Sequence, residues 1–244
     1  MRRLLLATVL VALAAPASPQ SLEDLAKQVL AQPQVSSSVA SSLADSDIAA
    51  GLRQALANGT HAAVMQLGHA DGFWGNERFR IPLPRALNEA SALLQTAGYG
   101  PQLDDLHLQM NRAAEKAVPL AADVFSQAVS QLTLNDARAI LNGPPDAATQ
   151  YFKRTTSQTL NEKFRPIVAT VTSKAGLVQQ YNTLLSSAGP AASLLGDSAD
   201  INAYVTNKAL DGLYSRIGDE EKNIRSNPAA RTTDLLKKVF GGGN

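Results

Sequence analysis

The chain contains no cysteine. That absence excludes disulfides, thiolate nucleophiles and cysteine-ligated zinc, so packing alone must hold the fold. Histidine is nearly as scarce: His61, His69 and His107 are the full set. Their spacing matches no helical zinc motif, and we expect no metal site and no cofactor. Aromatic residues make up 5% of the chain with a single tryptophan, Trp74. Charge is balanced at a net of +1, without the concentrated basic footprint of a nucleic-acid binder, so nucleic acid is not an expected partner. Alternating apolar–polar runs and hairpin dipeptides are missing, which argues against a sheet. No nucleophile elbow, phosphate loop or dinucleotide fingerprint occurs either, because the glycines at 68, 72 and 75 follow no strand. No catalytic residue is therefore assigned.

What is present begins with Met1-Arg2-Arg3, an apolar run from Leu4 to Ala15 and small residues around Ala15-Pro16-Ala17. This is the layout of a cleaved secretory signal, and it is too short to span a membrane. Residues 1–20 are read as that signal, with cleavage expected between Ala15 and Gln20. Its removal lowers the basic residues from 22 to 20 against 21 acidic, and the expected location is the periplasm, without a stable membrane span. Residues 21–45 read as an N-terminal arm, with the serine- and glutamine-rich stretch 32–42 as linker. Residues 46–240 form the domain and 241–244 a flexible tail. At 45% hydrophobic composition, a domain of this length buries a sizeable core.

Helical spacing dominates the domain. Ile48, Leu52, Leu56, Ala63 and Leu67 mark a first helix starting near Ser46. Residues 68–84 break the pattern and form a long ordered loop carrying Phe73, Trp74 and Phe79. A helix over 85–97 follows. Next comes a long helical region over 103–132, interrupted near Pro119, which lacks an amide and clashes with the preceding turn. Thr133 with Asp136 three residues on signals a capped short helix ending at Asn142-Gly143. Asp146 is positioned to cap a long helix through Ser173, with Pro166 a bend. Further helices are expected over 177–187, 201–225 and 232–240. The predicted fold is an all-α, single-domain multi-helix bundle around the central segment 103–132, closed by the C-terminal helices.

Several polar groups fall on apolar faces. On the helix over 201–225, the stripe of Leu210, Leu213, Tyr214, Ile217 and Ile224 has Glu221 in its middle. A buried carboxylate requires a partner, and Arg112 or Arg231 is expected to supply it; the other reading is a solvated rim residue or a structural ion pair. Asn111, Arg112 and Glu115 repeat the theme in QMNRAAEKA, either inside or as an exposed face with ordinary i,i+3 pairing. Thr149, Thr155, Thr156 and Thr159 near Tyr151 and Tyr181 are candidates for a polar head group, although helical threonines more often bond the preceding turn. Trp74, Phe73 and Phe79 either present an anchor to a partner or pin the loop onto the helices.

The runs DGFWGNERFRIPLP, QMNRAAEKAVP, ILNGPPDAATQYFKRTTSQTLNEKF, VTNKALDGLY and EEKNIRSNPAARTTDLLKKVFG closely resemble a bacterial family, domain of unknown function 4197, over residues 48–241. The resemblance implies an exported, largely helical protein, in relatives frequently a lipoprotein; this chain lacks the lipobox cysteine. It carries no activity, substrate or catalytic residue. The functional expectation is a non-enzymatic binding or interaction protein of the periplasm, with an interhelical pocket using Asn111, Arg112, Glu115, Glu221 and Arg231 as ligand-binding residues toward a small molecule or an envelope protein. The alternatives are a carboxylate-based hydrolase or lyase, with Glu115 or Glu221 raised toward neutrality by burial, and a purely structural envelope protein.

Overall fold

The computed structural model describes residues 34–189 and 200–227, with side chains from Ser46 onward. Two compact units are separated, Met1–Ala44 and Asp45–Asn244, and the packing below is that of the second. Among the described residues every regular element is a helix and none is a strand.

Helix α1 is Gln34–Leu67. The stretch read as a linker is thus helical from Gln34, and the first helix begins well before Ser46. Serines alone did not justify a break: no glycine or proline occurs between Gln34 and Ala50, and these are the residues that terminate helices on backbone grounds. The apolar stripe of α1 is buried at Ala49, Leu52, Ala63 and Leu67. After the irregular segment 68–84 come two short helices, α2 (Arg85–Glu89) and α3 (Ser91–Thr96), where one was expected. Ala90 between them has ψ near 0° and donates to both Ala86 and Asn88 carbonyls, a junction that an alanine–serine sequence does not announce.

Helix α4 (Gly100–Ala117) leads through a 3-10 turn, Val118–Leu120, into α5 (Ala121–Ser130). The break sits at Pro119, as its missing amide requires. Helix α6 (Leu134–Leu141) opens with the anticipated capping box: the Thr133 hydroxyl accepts from the Asp136 amide, and the Asp136 carboxylate accepts from the Thr133 amide. The Thr133 hydroxyl also donates to that carboxylate at 2.6 Å, and this bond first, with the one from the Thr133 amide, holds the Asp136 carboxyl below the usual carboxylate range. Thr133→Ala is expected to cost about 1 kcal/mol, read as a shift in the urea midpoint with unchanged slope.

Helix α7 (Ala147–Lys174) continues through Pro166. Gly176, at φ 64°, turns the chain into α8 (Leu177–Ser187). Helix α9 (Ile201–Ser226) starts from Asp200, whose carboxylate accepts from the Asn202 and Ala203 amides. The expected helix over 232–240 lies outside the described residues.

Helix α7 packs against α4, α5, α6, α8 and α9, and α9 lies across both α4 and α7. The long segment 103–132 therefore shares the centre of the bundle with α7. Aromatic rings join three helices there: Phe125 of α5 meets Phe152 of α7 edge-on at 5.2 Å and Tyr214 of α9 at 6.2 Å. Edge-to-face pairs contribute about 0.5–1.5 kcal/mol beyond their burial. No helix among the described residues is long and apolar enough to cross a membrane.

Candidate functional site

His107, Asn111 and Glu115 recur every four residues on α4, so their side chains share one face. That face meets the irregular segment 68–84. Asn111, fully buried, treats Ile81 as a neighbouring strand would: its Oδ1 accepts from the Ile81 amide at 2.7 Å and its Nδ2 donates to the Ile81 carbonyl at 3.1 Å. The same Nδ2 donates to the His107 carbonyl. His107 Nε2 lies 2.9 Å from the Ile81 carbonyl. A carbonyl only accepts, so Nε2 carries the proton.

Glu115 is the second clamp. Its Oε1 accepts from the Phe73 and Trp74 amides at 3.1 and 3.0 Å, and its Oε2 accepts from Arg112 at 2.8 Å. Arg112 also pairs with Asp71 at 2.8 Å; the hydrogen bond to Glu115 is the main cause that raises the guanidinium's affinity for its proton. The Phe73 ring is fully buried and lies so close to α9 that a Cβ at Gly212 would stand 2.8 Å from it. Trp74, half-buried, meets the His107 ring edge-on at 5.0 Å. Arg80 stacks over the indole at 4.9 Å and donates from Nε to the Trp74 carbonyl. The loop rings are thus pinned to the helices.

Burial is the main cause that lowers the His107 pKa below its ordinary value; the Ile81 hydrogen bond opposes it, and the Arg80 charge adds to it. A pKa lower in the folded than in the unfolded chain means stability is complete above the unfolded imidazole pKa. It is lost as pH falls below about 6.5. The urea midpoint of the wild type should therefore decline between pH 7.5 and 5, and His107→Gln, which keeps a donor for Ile81, should flatten that decline.

Glu221 is buried on the apolar stripe of α9, but its partner is neither expected arginine. Arg225, one turn on, donates to Oε1 at 2.9 Å. The Ala148 amide donates to the same oxygen at 3.0 Å, while Oε2 accepts from the Thr149 amide at 2.9 Å and hydroxyl at 2.8 Å. Arg225 also donates to the Ile140 carbonyl at the end of α6. Glu221 therefore caps α7 from 73 residues away, in place of Asp146, whose side chain makes no cap bond. A carboxylate at a helix N-terminus also meets the positive end of the helix dipole.

Asn111, Arg112 and Glu115 thus come together. Glu221 belongs to a separate bracket, and Arg231 lies outside the described residues. Thr149 serves Glu221, while Thr155 and Thr156 donate to the carbonyls of Tyr151 and Phe152. Thr156 also meets the Tyr214 hydroxyl at 2.8 Å. Sequence reasoning missed Asp71, His107, Arg80 and Arg225. The last was visible as an i+4 partner of Glu221, and His107 as the i−4 neighbour of Asn111.

Beside Glu221 and Arg225 is a cavity walled by Leu52, Leu56, Ile140, Phe152, Ile217 and Ile224, with a volume of about 20 Å³. That is room for one water molecule. Among the described residues no group of three or more His, Asp or Glu side chains could hold a metal ion.

A family model described as a protein of unknown function (DUF4197) matches residues 42–241. No curated protein and no solved structure matches the chain.

Proposed function

The chain belongs to the DUF4197 family of proteins of unknown function, and on that premise we propose a non-enzymatic binding or interaction protein, exported to the periplasm and acting through the surface of the segment 68–84. One observation carries this reading. An irregular segment of the chain is held rigidly by His107, Asn111 and Glu115, side chains spent on fixing backbone. Loops fixed on a helical scaffold are where recognition concentrates, because ordering costs are met before the partner arrives. Surface recognition is favoured over the interhelical cavity, whose volume of about 20 Å³ is too small for a metabolite. The hydrolase or lyase alternative has no comparable support: both oxygens of Glu115 and of Glu221 already accept hydrogen bonds from backbone amides, a threonine or arginine.

Native mass spectrometry of the protein purified from the periplasm of its own host tests the reading. A retained partner or ligand mass is expected. A bare chain in every preparation overturns it.

A further inference from the structure

Residues 78–82 of the clamped segment and the middle of α9 line an open hollow of about 230 Å³. Its lining includes Arg78, Arg80, Lys208, Asp211 and Ser215. Three cations around one hollow stand out in a chain whose charge is otherwise balanced. Arg78 is paired with Asp219 across the rim and is well exposed. Arg80 has its Nε fixed to the Trp74 carbonyl and its plane laid over the indole. Among the described residues neither its terminal nitrogens nor the Lys208 ammonium has a carboxylate partner; Lys208 instead sits over the Tyr204 ring at 5.8 Å. Asp211 is the one carboxylate in the lining, and among the described residues it too makes no ion pair.

We infer that this hollow binds a single phosphate-class oxyanion, with Arg80 and Lys208 as its principal donors and Arg78 at the rim. The inference rests on the reading of the segment 68–84 as a recognition surface and names what that surface takes. Arginine's planar fork matches the oxygens of phosphate, and lysine adds a mobile point charge. The Arg80 guanidinium is oriented beforehand, because Trp74 beneath it is itself held by Glu115. Preorganisation of this kind lowers the ordering cost of binding. The volume is below the roughly 300–1,000 Å³ of pockets that enclose whole ligands. It fits one anionic group, with the remainder of any larger molecule outside. That group is either a free phosphate or the headgroup of an anionic lipid.

Trp74 is the sole tryptophan and lies directly under Arg80, so its emission reports on the site without a label. The full-length protein is titrated at constant ionic strength with inorganic phosphate, with phosphatidylglycerol vesicles and with phosphatidylcholine vesicles. A saturable change with phosphate assigns the site to free anions; one confined to phosphatidylglycerol assigns it to a lipid headgroup. In either case Lys208→Ala should weaken binding about fivefold and Asp211→Asn should tighten it about threefold, as single partly screened charges do. Lys208 and Asp211 hold no part of the loop, so both variants should keep the wild-type circular dichroism. If Lys208→Ala fails to fold, Asp211→Asn alone decides. The inference is overturned if neither phosphate nor phosphatidylglycerol gives a saturable change, if phosphatidylcholine gives an equal one, or if the charge variants leave the affinity unmoved. A retained uncharged ligand in mass spectrometry alongside that failure would sink only the anion site.

Discussion

Glu221→Ala will lower the stability of the fold by about 3–5 kcal/mol, the range for removing one partner of a buried, hydrogen-bonded ion pair. The carboxylate satisfies four donors at once: the Ala148 and Thr149 amides, the Thr149 hydroxyl and Arg225. Without it, the first turn of α7 loses its cap, and the Arg225 side chain, about 20% exposed, loses its bonds to the Glu221 carboxylate. Water reaches the site poorly, so the orphaned amides are not rehydrated at full value. Urea unfolding followed by circular dichroism measures the loss. Glu221→Gln should fall between, since its amide oxygen replaces one acceptor while its NH₂ group faces donors. A loss below about 1 kcal/mol for the alanine variant would mean that Glu221 is solvated and the bracket is not formed.

Glu115→Ala is expected to cost about 3 kcal/mol or more, with a different signature. It releases the Phe73 and Trp74 amides and leaves Arg112 with Asp71 alone. The affected backbone belongs to the segment 68–84, so the indole should become more exposed and its emission shift to the red before global unfolding. Glu221→Ala should leave that emission in place in the folded state. The pair of variants thus separates a bracket that shapes the segment 68–84 from one that joins helices. If Glu115→Ala destabilised the protein with no change in Trp74, the clamp on the loop would be the wrong account of that residue.

Much of this architecture is legible in the chain because the relevant signals are local. Pro119 breaks its helix through its own missing amide, and Thr133 with Asp136 closes a box within four residues. The buried stripe of α9 follows from spacing, and it correctly marks Glu221 as a carboxylate in an apolar setting. What spacing does not carry is the partner. Glu221 meets α7 only after α9 has crossed it, and no pattern near Asp146 reveals that the cap comes from elsewhere. Asn111 and Glu115 show the same limit: they were identifiable as polar residues on a helix face, but their partners are backbone groups of Ile81, Phe73 and Trp74. Backbone amides have no side-chain identity to read. Serine content misled at 34–42 because serine is only a weak helix breaker when neither glycine nor proline accompanies it.

The distant cap on α7 also sets which parts of the molecule come apart together. A helix with a local cap can lose a neighbour and keep its first turn; α7 cannot, because its starting amides are protected by a side chain of α9. Every opening that lifts the end of α9 must therefore expose Ala148 and Thr149 to solvent in the same event, and Arg225 lets go of the end of α6 with them. In hydrogen-exchange terms, the end of α6, the start of α7 and the end of α9 form one cooperative unit built from three separate stretches of sequence.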